Sequence, residues 1–202
     1  MSDIVIVPTG TANIASVAAA FRRLGVEPTE STRSDEIERA AGVVVPGVGA
    51  FAAAMDRVDS TRLRVALTER INEGRATLVV CVGMQLLCTA SEESPGIAGL
   101  GVIDDRVERF DSEERVPQLG WNRVEPPRNS RFLEPGWAYF ANSYRLRQAP
   151  DGWAAATTGY GDEFVSALER DDVLACQFHP ELSGAWGARI LGRWMATTKE
   201  TA

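Results

Sequence analysis

The chain has 202 residues, 45% of them hydrophobic, enough to bury one good core but short for two ordinary domains, so residues 1–202 are expected to form a single domain. Asp and Glu number 28 against 21 Lys and Arg, for a net charge of -7, and no group of basic residues makes the stripe that neutralises nucleic-acid phosphates. A nucleic-acid partner is therefore not expected.

In chain order, the first ten residues, MSDIVIVPTG, hold Asp3 and only a short apolar run, unlike a secretory signal, and the protein is expected to work in the cytoplasm. Residues 4–7 are β-branched, and Ile14, Val17, Phe21 and Leu24 follow at spacings of three and four. This predicts a strand and then a helix, capped by Asn13 and ended by Gly25. Residues 40–55 carry no charge, but Gly42, Pro46, Gly47 and Gly49 interrupt a run already too short to span a bilayer. Residues 43–45 and 78–80 are runs of the kind buried in parallel sheets, and a helix over 60–73, stopped by Gly74, lies between them. Repeated strand, helix and strand units predict an α/β fold with a doubly wound, mostly parallel open sheet and flanking helices, whose ligands sit beyond the carboxyl ends of the strands. From about Gly99 the texture changes to extended runs over 102–110, 116–124, 139–147, 164–169 and 173–178, which predict an antiparallel hairpin extension. Residues 185–195, with Ile190, Leu191 and Trp194 on one side, make a terminal helix.

Cys81, Cys88 and Cys176 are odd in number and widely spaced, which argues against a disulfide framework and against a zinc site with paired ligands. Any chemistry at sulfur is then thiol chemistry, with no metal and no cofactor. Cys81 sits between the apolar run 78–80 and a predicted helix, with Gly83 two residues on, in the form of a nucleophile elbow. Such a turn lifts the side chain over the sheet edge, where a helix amino terminus favours a thiolate. Taken alone, Cys81 reads more readily as a small core residue. The single histidine lies in Gln177-Phe178-His179-Pro180-Glu181. Pro180 holds His179 extended, so that His179 and Glu181 project to one side and the carboxylate can orient the imidazole. In a cysteine hydrolase the histidine carries the proton between thiol and leaving amine, and an acid fixes its tautomer. Val43-Val44-Val45-Pro46-Gly47-Val48-Gly49 ends in a glycine loop, and an amide of Gly47 or Val48 with that of Val82 could form an oxyanion hole, at about 3 kcal/mol per donor. The same segment also reads as an ordinary tight connection. Cys88, about two helical turns beyond Cys81, and Cys176, within a strand, read as core. Trp121, among turn formers, reads as an interface anchor or as core.

The three motifs, in this order, resemble the class I glutamine amidotransferase family over most of the chain. Further segments, among them Thr9-Gly10, Ala12-Asn13, Ser91-Glu92-Glu93, Gly120-Trp121-Asn122 and Ser143-Tyr144, are similar to the branch of that family that serves histidine biosynthesis. The resemblance implies that Cys81 attacks the carboxamide of glutamine, with His179 and Glu181 completing the triad, and that Gly49, Gln85, Ser143 and Tyr144 hold the substrate. It implies a (β/α)₈-barrel cyclase partner that takes the ammonia, facing Asn13, Trp121, Asn122 and Tyr139. The chain departs from the family pattern at Val79, where glycine is usual before the nucleophile, and at Val82, where leucine is commoner. It departs again at Pro8, Asn142 and Leu182, where an aspartate, a histidine and a basic residue are usual near the partner face. Two other readings stay open, a stand-alone cysteine hydrolase of γ-glutamyl compounds and a catalytically silent binding subunit.

Overall fold

A computed structural model describes residues 3–10, 13–111 and 114–198; Ala12, in the amino-terminal motif, lies outside them. The elements run β1 (Ile4–Ile6), α1 (Ile14–Arg23), β2 (Thr29–Glu30), α2 (Ser34–Arg39), β3 (Gly42–Gly47), α3 (Phe51–Ser60), α4 (Arg64–Asn72) and β4 (Thr77–Cys81). They continue α5 (Val82–Gln85), β5 (Cys88–Ser91), β6 (Ile103–Arg109), β7 (Gln118–Val124), β8 (Gly136–Asn142), β9 (Tyr144–Arg145), β10 (Ala154–Tyr160), β11 (Asp162–Arg170), β12 (Val173–Cys176), a 3₁₀ turn (Pro180–Leu182) and α6 (Gly184–Thr197).

The first helix forms as its sequence dictates. Asn13 Oδ1 accepts from the Ser16 amide at 3.2 Å, Val17, Ala18, Ala20 and Phe21 are buried, and Gly25 turns the chain at φ +82°. The helix expected over 60–73 forms as α4, starting later, at Arg64, and ending before Gly74 at φ +70°; α3, which the sequence pattern does not predict, precedes it, with Arg62 at φ 60° between the two.

Seven strands form the central sheet in the order β10-β11-β12-β4-β3-β1-β2. Strands β2, β1, β3, β4 and β12 are mutually parallel where they pair, while β10 and β11 add an antiparallel edge. The sheet is mixed but mostly parallel, with helices alongside, and β12 enters it from the far end of the chain to lie next to β4. The remaining carboxyl-half strands do not all join that sheet. β7 and β8 pair with each other as a separate hairpin, and β6 pairs with β5 in parallel and with β9 antiparallel. Phe110, Phe164, Phe140, Phe178 and Trp186 meet edge to face in succession, with centroids 5.3 to 5.9 Å apart. This buried row fastens the hairpin to β11 and α6, and its member Phe178 directly precedes His179. Among the described residues no helix is long and apolar enough to cross a membrane.

Candidate active site

Cys81 closes β4 with φ 54° and ψ -110°, a conformation that costs a β-carbon-bearing residue free energy and recurs where a side chain must stand off a sheet edge. The helix behind it is a single turn, Val82–Gln85, before the chain enters β5. The field of a long helix is therefore missing, and Cys88 lies on a strand rather than two helical turns along. What the turn supplies is its free first amides. Cys88 is buried, and burial, reinforced by the charge of Asp105, pushes its thiol up to about 12; burial drives Cys176 well above the ordinary range too. Both behave as core.

Strand β12 is the parallel neighbour of β4, with Cys176 opposite Val80, so the residues that follow both strands emerge at one edge of the sheet. His179 is extended at φ -100° and ψ 95°, as the following proline requires, and its Nδ1 lies 2.8 Å from Glu181 Oε1. Both side chains are buried, that of Glu181 being 6% exposed. Burial is the largest single influence on the imidazole and acts to lower its pKa. Hydrogen bonds with Cys81 and Glu181, together with their charges, outweigh it and raise the pKa to about 10. The protonated ring is thereby favoured, with Nδ1–H donating to the carboxylate. The His179 amide donates to the Tyr139 carbonyl at 2.9 Å, while Ser183 Oγ donates to the His179 carbonyl at 2.6 Å and accepts from the Tyr139 amide at 3.0 Å.

On the other side of Cys81, Gly47 is its register partner across β3 and β4. A β-carbon on Gly47 would stand 2.9 Å from both the Gly83 nitrogen and Val82 Cβ, so only glycine lets β3 approach the turn this closely. Val48 follows Gly47, and Gly49 turns the loop at φ +86°. The loop is held from α3, whose first amides, of Phe51 and Ala52, donate to Glu93 Oε2 at 2.7 Å and Ser94 Oγ at 3.2 Å.

A pocket of about 340 Å³ opens beside the sulfur. Cys81, Val82, Gly49, Gln85, Ser143 and Tyr144 all line it, joined by Glu93, Ala141 and Asn142. Asn142 is thus a buried pocket residue rather than part of an outer face; its Nδ2 donates to the Tyr144 carbonyl at 3.0 Å. The Cys81 sulfur lies 3.9 Å from the Ala141 carbonyl oxygen and 3.7 Å from Gln177 Nε2. Neither contact is written in local sequence, since Ala141 lies on β8 and Gln177 just beyond β12, both far along the chain from Cys81.

The residues expected to face a partner separate into two groups. Trp121 and Tyr139 are register partners across the β7–β8 hairpin, their rings 6.2 Å apart, and Trp121 is 51% exposed. Leu119 and Trp137 share that face and are also exposed. Asn122 points to the opposite face, as alternation along a strand demands, while Asn13, at the start of α1, and Leu182, in the 3₁₀ turn after His179, are also exposed.

The family model described as Glutamine amidotransferase class-I matches residues 5–195. The "Imidazole glycerol phosphate synthase subunit HisH" of Symbiobacterium thermophilum is 39% identical over 198 residues, which cover 96% of this chain and 93% of that one. The "Imidazole glycerol phosphate synthase hisHF, chloroplastic" of Arabidopsis thaliana is 37% identical over 201 residues, 96% of this chain but 34% of that longer one. A crystal structure described as a glutamine amidotransferase superposes with a TM-score of 0.77 at 22% identity, over 96% of this chain and 98% of the other. With an elbow cysteine, a buried His–Glu pair at the next strand end and a match along nearly all its length, the chain belongs to the class I glutamine amidotransferase family.

Proposed function

We propose that this chain, acting as one domain over residues 1–202, hydrolyses glutamine to glutamate and ammonia and passes the ammonia to a (β/α)₈-barrel cyclase that makes imidazole glycerol phosphate in histidine biosynthesis. The observation that supports this chemistry is that Cys81 closes β4 and His179 comes just beyond its parallel neighbour β12, both at one edge of the sheet, with Glu181 2.8 Å from the His179 ring. With Nδ1 committed to Glu181, the imidazolium turns Nε2–H toward the sulfur and the substrate. Sulfur attack on the glutamine carboxamide forms a C–S bond, and the carbonyl oxygen becomes an oxyanion. The amides of Val82 and of Gly47 or Val48 are the donors proposed to stabilise it. His179 then delivers its proton to the leaving nitrogen, the C–N bond breaks, and ammonia departs from a thioester. Neutral His179 next takes a proton from water, the hydroxide adds to the thioester, and glutamate leaves as the C–S bond breaks, restoring sulfur and imidazolium. Gly49, Gln85, Ser143 and Tyr144 are proposed to hold glutamine in the adjoining pocket.

The names of the relatives support the pathway. The Arabidopsis relative, most of whose length lies beyond the part this chain matches, supports a second catalytic body working beside this one. Asn13, Trp121, Asn122 and Tyr139 are proposed to face the partner, with the exposed Trp121 and its ring neighbour Tyr139 as the anchor. The deciding experiment measures glutamate released from glutamine by the purified chain, alone and with a cyclase partner. Release that rises when the partner is added is the expected result; no glutamate from folded protein in either case defeats the proposal.

A further inference from the structure

Gln177 is fully buried two residues before His179, and the triad makes no use of it. Its side chain is one link in a row of amides. Gln85 Nε2 donates to the Tyr144 carbonyl at 3.1 Å and to Gln177 Oε1 at 3.0 Å, and Gln177 Nε2 points at Cys81 Sγ from 3.7 Å. The direction of the row follows from its far end. A backbone carbonyl only accepts, and that of Tyr144 already takes a second donor, Asn142 Nδ2. Gln85 must therefore present its nitrogen to Tyr144, and both hydrogens of that nitrogen are used. The oxygen of Gln177 must face Gln85, which leaves the Gln177 N–H facing sulfur. Turning either amide over would set oxygen against oxygen or N–H against N–H inside a buried site, at the cost of unmade hydrogen bonds.

We infer that Gln177 does two things for the proposed hydrolysis: it puts a hydrogen-bond donor on the Cys81 sulfur, and it locks the Gln85 amide so that its oxygen is free to accept from an ammonium or N–H group of the substrate. The first is a direct contact with a reacting atom and favours the attacking, anionic form of the sulfur, which neither Cys88 nor Cys176 could adopt in its apolar surroundings. The second is a positioning role, exerted through a residue that lines the pocket.

The inference rests on the reading of Cys81 as the nucleophile, and two substitutions on the full chain separate the roles. Gln177→Met keeps the volume and removes both polar ends. Gln177→Glu keeps an acceptor for Gln85 but replaces the donor with an anion beside the sulfur. The primary readout is iodoacetamide alkylation of Cys81, followed by peptide mass against pH, in variants with wild-type unfolding midpoints. Alkylation at neutral pH should slow about five- to ten-fold in Gln177→Met and further in Gln177→Glu, with the pH dependence displaced to the alkaline side in both. The second readout is the glutamine concentration that half-protects Cys81. It should rise several-fold in Gln177→Met and stay near wild type in Gln177→Glu. An alkylation profile unmoved in both variants overturns the sulfur contact, and equal loss of protection in both overturns the lock. Should Gln177→Met fail to fold, the isosteric Gln177→Glu profile decides the first role. Failure of glutamine to protect even wild-type Cys81 strikes instead at the proposed function, leaving the pH profile to judge Gln177.

Discussion

His179 is the only imidazole in the chain, so its titration can be followed by NMR without ambiguity. Burial opposes its charge while Cys81 and Glu181 support it, and the supporting side prevails, with a pKa of about 10. Removing one supporter should let burial gain ground. In Cys81→Ala the midpoint is expected to fall well below the wild-type value, and an unchanged midpoint would mean that sulfur and ring do not interact. The same shift gives a stability slope with a definite sign. Because the folded value lies above the ordinary 6.5, the bound proton favours the folded chain; this contribution is complete below about pH 6.5 and is lost as pH rises toward 10. The gap in unfolding free energy between wild type and Glu181→Gln should therefore narrow across that window. Cys81→Ala should also cut glutamine hydrolysis by roughly a thousand-fold or more while leaving the fold intact, because it removes the covalent route rather than one contact. The strained turn at Cys81 and the pairing of His179 with Glu181 were legible because each carries its signal in adjacent residues: a glycine after the turn, a proline between ring and carboxylate. Gln177 was visible only as part of a motif, since its task depends on meeting Gln85 at a sequence separation of 92.

Among the elements, the strand-to-helix turns were read best and the interruptions worst. Asn13 and Gly25 bracket α1 as their chemistry demands. The late start of α4 escaped because the break before it falls on Arg62, a residue that rarely adopts the left-handed backbone it takes here. β10 escaped as well: its run of alanines has little of the β-branched character that marks a strand, and its pairing with β11 decides the matter. The loop that carries Gly47, Val48 and Gly49 is steadied from outside, since Ala50 cannot cap α3 and Glu93 does so from 42 residues away. Glu93→Ala is expected to cost about 1 kcal/mol in chemical denaturation. It should lower glutamine turnover more than that loss alone would suggest, through loosening of the pocket rim. Gly47→Ala drives a methyl into the Val82–Gly83 backbone and should cost about 1–3 kcal/mol, with glutamate release falling further than stability.

At the scale of the whole molecule, the parallel sheet and the edge that bears the site followed from repeated strand and helix units, but the insertion of β12 beside β4 did not. That pairing joins distant parts of the chain, and local pattern holds no record of it. The division of the later strands into separate small sheets was hidden for the same reason. The outer face of the β7–β8 hairpin exposes Leu119, Trp121 and Trp137 together, an apolar group of the kind that binding covers. Trp121→Ala should leave the unfolding transition unchanged and weaken assembly with the proposed cyclase partner by about 2 kcal/mol or more in calorimetric titration. Tyr139 belongs to that face through its ring and to His179 through its peptide, with Ser183 as a second tie. A body leaning on the aromatic surface therefore has a short mechanical linkage to the proposed proton carrier, with no intervening loop to absorb the push. Ser183→Ala would slacken that linkage: the complex should still form at normal strength, while the acceleration of glutamate release on docking shrinks several-fold.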